Sequence, residues 1–197
     1  MVHWAGVVAC VLAGCKSRGA VVENPSPMAM PTTRSELLAG TIAVDSAASV
    51  TRDSLIVHGH AWGVPEGWTL TATHEHPRIA QVRTPGGLEI LVFSFGRGGG
   101  TIQANFQRWR DQLQSVQDSS TKLDTVKAVV HAIGRWTGNY RGGNGSDAAD
   151  GSFQTMVGAV VDGPNGRVFF KVVGERVKVR KEFDRIADWI RSGGNRL

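Results

Sequence analysis

The chain has 197 residues, of which 41% are hydrophobic and 20% are charged, and 22 Lys or Arg against 17 Asp or Glu give it a net charge of +5. This length favours one globular domain with a tail, and two cysteines are too few for a disulfide framework. Since no apolar run approaches the about 20 residues that a spanning helix needs, a transmembrane helix is not predicted.

The first fifteen residues carry the pattern of a bacterial lipobox. A short apolar run leads into Leu, Ala, Gly and Cys at residues 12–15, and an apolar run that ends in small residues before a cleavage point is typical of a secretory signal. We therefore predict a lipoprotein signal peptide at residues 1–14 and acylation of Cys15 by fatty acids such as palmitate. The alternative is a buried strand or helix start at residues 5–15, because only His3 stands where a signal usually carries positive charge.

The residues beside the anchor bear on location. Lys16, rather than Asp, follows Cys15, which resembles outer-membrane sorting in bacteria with two membranes. We expect a lipid-anchored protein of the cell envelope, facing the periplasm from the outer membrane where there are two. Cys10 lies in the segment to be removed, so the mature chain is expected to have no disulfide. The alternative is a cytosolic protein in which the two cysteines are reduced thiols or a pair of zinc ligands, but a spacing of five with no further Cys fits no closed zinc site.

Residues 15–54 are predicted to hold the folded domain away from the anchor. Pro25, Pro27 and Pro31 lie there among small polar residues, a composition typical of an extended tether. The end of this segment, residues 35–54, is compatible with a short helix or a strand. The folded domain is predicted at residues 55–194.

This domain begins with four predicted strands, at residues 55–57, 68–73, 78–84 and 88–95. A helix is predicted after the N-cap residue Thr101, because apolar residues recur there at intervals of three and four. They are Ile102, Phe106, Trp109, Leu113 and Val116. We expect this helix to place its apolar face on the sheet.

The second half of the domain repeats this alternation. A strand at 126–140, a Gly- and Asp-rich loop at 141–151 and a hairpin of 156–161 with 168–173 are predicted in turn. A last helix follows, with a buried stripe of Val179, Phe183, Ile186 and Ile190 and an end at Gly193 and Gly194. Hairpins with one inserted and one terminal helix predict an α+β domain with a mostly antiparallel β-sheet flanked by helices.

A set of residues spread over about 62–191 carries a family resemblance, with 105–112 as its most specific part. They are Pro65, Gly67, Trp68, Arg78, Ala80, Gly99, Gly100, Asn105, Arg108, Trp109, Gln112, Gly158, Phe169, Phe170, Lys171 and Gly174. In this order they resemble bacterial exported proteins with the PsbP-like fold, the fold also seen in the Ran-binding Mog proteins. The resemblance implies a central antiparallel sheet flanked by helices, and a role in binding or assembly rather than a shared reaction. It offers no match for the His-Glu-His-Pro run at residues 74–77.

One edge of the first helix is a candidate binding site. Asn105, Arg108 and Gln112 lie three and four residues apart, so they share a polar edge beside Trp109. These side chains are predicted either to cap backbone groups of a neighbouring loop, which is favoured, or to line a binding groove. All four residues are therefore candidates.

Four histidines are candidates for a metal site. His58 with His60, and His74 with His76, form two His-x-His pairs 16 residues apart. In a strand each pair points to one face, and adjacent strands would bring four imidazoles together as ligands for copper, nickel or zinc. The alternative is that they are exposed histidines beside turns. His131 lies in an apolar run and is predicted to be buried with a hydrogen-bond partner.

The end of the chain is basic, with nine Lys or Arg against four Asp or Glu from Arg167 onward. A solvated helix face explains most of this charge, although a basic surface also favours anionic lipid headgroups. No catalytic constellation is recognised, so we expect a non-enzymatic lipoprotein that needs no cofactor. Its expected partners are membrane lipid, through acylated Cys15, and another envelope protein, and not nucleic acid. The alternatives are a divalent-metal-binding protein that uses the four histidines, and an enzyme whose site the sequence does not reveal.

Overall fold

Strands dominate the part of the chain that the structure, a computed structural model, describes. That part comprises residues 48–73, 75–96, 98–126, 128–141 and 153–195, all within one compact unit. The predicted signal peptide, Cys15 and the tether up to residue 47 lie outside it, as do His74 and nearly all of the predicted loop at 141–151. Within these ranges, no helix is long and apolar enough to cross a bilayer.

The described residues form eleven strands and two helices. The strands are β1 Ala48–Val50, β2 Ser54–Val57, β3 His60–Gly63, β4 Thr69–Ala72, β5 Arg78–Arg83, β6 Glu89–Ser94, β7 Leu113–Val126, β8 Val129–Tyr140, β9 Phe153–Gly163, β10 Gly166–Glu175 and β11 Gly194–Asn195. The helices are α1 Ile102–Arg110 and α2 Arg176–Ser192.

The strands make two sheets, and their pairs are antiparallel. The larger sheet has the order β4-β5-β6-β10-β9-β8-β7, and the smaller has the order β1-β2-β3-β11. The predicted α+β class with a mostly antiparallel sheet is therefore confirmed. Because β9 and β10 are central and covered on both faces, their apolar residues run on without the alternation of a half-exposed strand.

Each face of the larger sheet carries its own apolar core. On one face, the side chains of β5, β6, β8, β9 and β10 pack against α2 and the smaller sheet. On the opposite face, α1 packs through Trp109 against a second cluster that includes Trp136, Met156 and Phe169. The predicted apolar stripes of both helices thus cover the sheet, one on each side.

The first helix is shorter than the sequence predicts. It ends at Arg110, and Leu113 begins β7, which pairs with β8 over its whole length apart from one irregularity after Gln114. Leu113 and Val116 still reach the α1 core, but they do so from a strand. A longer helix and a helix followed by a strand would both place these apolar side chains in the core. Pairing with β8 overrode the local preference for helix.

The smaller sheet packs into the core on the α2 face of the larger one. His58 and Gly59 form the two-residue turn between β2 and β3, and both have positive φ, at 51° and 79°, as a type I′ turn requires. From β3, Trp62 lies fully buried, donates from Nε1 to the Ile190 carbonyl at 3.0 Å and contacts the Phe170 ring edge-on. Trp62 therefore ties the smaller sheet to both α2 and β10.

Candidate functional site

Most residues of the predicted polar edge of α1 make contacts within the domain. Asn105 is buried, and its Nδ2 donates to the carbonyl oxygens of Gly99 at 2.6 Å and Thr101 at 2.9 Å. Gly99 and Gly100 have φ of +91° and +75°, a conformation that glycine adopts without strain. Asn105 thus fixes the glycine turn that leads into α1, as the capping interpretation predicts.

Of the other three candidate residues on this edge, two make contacts within the fold and one is exposed. A Cβ at Gly158 would overlap the indole of Trp109, so Trp109 packs directly on the backbone of β9. Gln112 accepts a hydrogen bond from Lys171 Nζ at 2.8 Å. Arg108 is exposed. A binding groove along α1 stays a prediction, and of the four candidates only Arg108 faces solvent.

The histidines predicted as metal ligands do not share a strand face. His58 lies in the β2–β3 turn rather than in a strand, and its Nε2 is 2.9 Å from Ser94 Oγ, so the expectation that His58 and His60 point together from one strand is wrong. His60 is fully buried in β3, whereas His76 is exposed in the turn before β5. Among the residues described, no three His, Cys, Asp or Glu side chains are placed to hold a metal ion. The three described members of the predicted set therefore form no ligand group.

His131, rather than a second His-x-His pair, lies near His58 and His60. It is buried in β8, and its Nε2 lies 3.1 Å from the Gly193 carbonyl, which confirms the predicted buried histidine with a partner. Burial lowers the pKa of His60, the nearby His131 and His58 lower it further, and Asp162 acts in the opposite direction. In the described part of the chain, neither ring nitrogen of His60 has a hydrogen-bond partner. Burial therefore favours a neutral imidazole at His60.

A second group of polar side chains crosses three neighbouring strands on the α2 face of the larger sheet. Asp118 of β7 pairs with Thr137 of β8, which pairs with Thr155 of β9. Arg135 precedes Thr137 by two residues and so points to the same face. Arg176 and Arg180, four residues apart in the first turns of α2, complete the lining of a cavity of about 220 Å³.

The charges in this cavity, here called the arginine cavity, are only partly balanced. Arg135 Nη2 is 3.6 Å from Asp118 Oδ2, and the guanidinium lies 5.0 Å from the centre of the Phe183 ring. Arg176 and Arg180 are exposed and make no ion pair or hydrogen bond with any residue in the described ranges. Three guanidinium groups therefore face one carboxylate in this cavity.

Sequence reasoning did not find the arginine cavity. The basic composition after residue 167 indicated charge near α2, and the four-residue spacing of Arg176 and Arg180 indicates one shared helix face. No strand, however, was predicted for the residues after the first helix, where Asp118 lies. The pairing of Asp118 with Thr137 therefore could not be predicted from the sequence. The cavity depends on that register.

Comparison with known proteins gives a likeness of fold. No family model and no curated protein matches the chain. The solution structure of cyanobacterial PsbP (CyanoP) from Synechocystis sp. PCC 6803 is similar to it, with a TM-score of 0.48 and 9% sequence identity over 70% of this chain and 87% of the other. At this TM-score and identity the likeness carries no argument about family, residues or partners.

Proposed function

We propose that this chain is a lipid-anchored protein of the cell envelope whose α+β domain binds a ligand or partner rather than catalysing a reaction. The single observation that carries the binding role is the arginine cavity, where Arg176 and Arg180 present charge that no described residue neutralises. Binding sites combine a concave shape with a few convergent polar groups. The arginine cavity has both features.

The anchoring part of the proposal rests on the lipobox and the segment that follows it. An acylated Cys15 would hold the chain to a bilayer, and acyl chains contribute about 0.8 kcal/mol for each buried methylene. The proline-containing segment after Cys15 would then act as an extended spacer. A domain held in this way reaches ligands and partners near one membrane surface.

Membrane fractionation tests the anchor. The native chain is expected to sediment with envelope membranes, whereas the Cys15→Ser chain is expected in the supernatant, and mass spectrometry of the native protein should show acyl chains on residue 15 and no residues 1–14. Equal distribution of the two chains, with an intact amino terminus on the native one, would contradict anchoring.

Crosslinking in envelope membranes tests the binding role. The native chain is expected to give a discrete crosslinked product that an Arg176→Gln, Arg180→Gln chain loses. Lys181→Gln is the matched control, because Lys181 is exposed on the same helix and does not line the arginine cavity. If all three chains gave the same products, the cavity would not be the binding surface, and if none gave a product, the binding of a protein partner would be contradicted.

A further inference from the structure

We propose that the arginine cavity binds a phosphate group in its dianionic form, supplied by a soluble phosphate ester or by a lipid headgroup. This inference rests on the proposed binding role and names the chemistry of the ligand. Three guanidinium groups and one carboxylate line the cavity, which leaves two positive charges. A phosphate monoester carries about −1.5 to −2 charge at pH 7, so the charges match.

Donor geometry also favours an oxyanion. Guanidinium groups present planar pairs of N–H donors that fit phosphate oxygens. Arg176 and Arg180 come from the helix, whereas Arg135 comes from the sheet, so donors enter the arginine cavity from two sides. Arg135 is already oriented by Asp118 and by the Phe183 ring, and this packing pre-positions it for a ligand.

The floor of the arginine cavity supplies another donor. Thr137 and Thr155 are both about 98% buried, and their hydroxyl oxygens are 2.9 Å apart. In such a pair one hydroxyl donates to the other, and the second hydroxyl keeps its own hydrogen for a further acceptor. Both residues line the cavity, so an anionic oxygen there would accept that hydrogen bond.

The amino terminus of α2 adds positive potential at the rim. The helix has 17 residues, its N-cap residue Glu175 makes no capping hydrogen bond through its side chain, and no acidic residue lies in its first turn. Backbone N–H groups at such an end favour anions. At about 220 Å³ the cavity is below the about 300–1,000 Å³ typical of sites for drug-sized ligands. Its size therefore suits a small anionic group rather than a large apolar ligand.

Calorimetric titration of the full chain in non-ionic detergent with inorganic phosphate at low ionic strength tests this inference. Binding is expected for the native chain, and we expect about a tenfold loss of affinity for Arg176→Gln and for Arg180→Gln, because each removes a charge-assisted donor. Lys181→Gln, which removes the same charge outside the cavity, is expected to change affinity less than about threefold. Equal affinity in all four chains, or no binding by the native chain, would overturn the proposal.

A second arm distinguishes the source of the phosphate group. The Cys15→Ser full chain, which has no acyl anchor, is mixed with phosphatidylcholine vesicles with or without phosphatidic acid, whose headgroup is a phosphate monoester. Binding that needs both phosphatidic acid and Arg180 assigns a lipid headgroup, whereas phosphate binding without vesicle binding assigns a soluble ester. If fractionation contradicted the membrane anchor, the phosphate titration would still test the arginine cavity. The anchor and the phosphate site can therefore be refuted separately.

Discussion

The histidine cluster and the arginine cavity place ionisable side chains in opposite physical settings. His60 and His131 are both buried: His60 packs against the backbone at Gly163 and against the Trp62 ring, and His131 Nε2 lies 3.1 Å from the Gly193 carbonyl oxygen. Arg176 and Arg180 lie at the open rim of a cavity and contact no polar partner among the described residues. The comparison indicates that the two histidines pack inside the fold, whereas the charges of the two arginines are available to the ligand proposed above.

The largest expected loss of stability comes from a substitution at Trp62, next to the histidine cluster. Trp62→Ala would remove a fully buried ring that contacts Phe170 and donates to the Ile190 carbonyl, and a substitution of this kind costs about 3–5 kcal/mol. Denaturant unfolding of the purified full chain measures the loss. Val177→Ala, at a side chain 63% exposed on α2, is the control and should change stability by less than about 0.5 kcal/mol. A loss below about 1 kcal/mol for Trp62→Ala would show that the two sheets are not coupled through this ring.

A glycine pair gives a finer test of how tightly the histidine cluster is packed. A Cβ at Gly163 would overlap the buried His60 ring, whereas a Cβ at Gly63 meets nothing within 4 Å, and neither glycine has positive φ. Gly163→Ala is therefore expected to lower the free energy of unfolding by about 1–3 kcal/mol, with little change for Gly63→Ala. Equal costs would show that the His60 ring moves aside freely.

Low pH is expected to reduce the stability of the fold through His60. Burial, with His131 and His58 nearby, lowers the pKa of His60 below its usual 6.5, while Asp162, paired with Arg167 at 2.8 Å, acts against it. Between the lowered pKa and 6.5 the unfolded chain binds more protons than the folded chain. The stability contributed by neutral His60 is thus full above about pH 6.5 and is lost as the pH falls through the folded pKa.

The pH dependence of unfolding, compared with that of His60→Met, isolates this contribution. Neither ring nitrogen of His60 has a partner in the described chain, so an apolar side chain of similar length breaks no hydrogen bond there. The variant should show a shallower fall in stability as the pH is lowered below about 6.5, the usual histidine pKa. Parallel curves would assign the acid sensitivity to other groups.

The smallest stability change is expected at the arginine cavity. Arg176→Gln with Arg180→Gln removes two like charges that no described residue balances, so the free energy of unfolding should change by less than about 0.5 kcal/mol. Thermal unfolding beside the phosphate titration measures this. A large destabilisation would show that these arginines hold the fold, and would erase the contrast with the histidines.

The fold was easier to predict than the site, and particular elements show why. The β9–β10 hairpin and the buried stripe of α2 have strong local patterns, and both form as predicted. The long strand β7 was missed because its first residues continue the helical spacing of α1 and most of its later ones are exposed and polar. Because β7 was not predicted, the paired row of Asp118, Thr137 and Thr155 that lines the arginine cavity was not predicted either.

The sequence by itself determined the lipobox expectation, the α+β class, the N-cap of α1 and the apolar faces of both helices, because these depend on residues close together in the chain. Only the tertiary structure decided that His131 rather than His76 joins His60, and that Arg135 meets Arg176 and Arg180 in one cavity. Contacts of this kind depend on strand register and on which helix covers which face of the sheet. A one-residue change of register would turn every side chain of a strand to the other face.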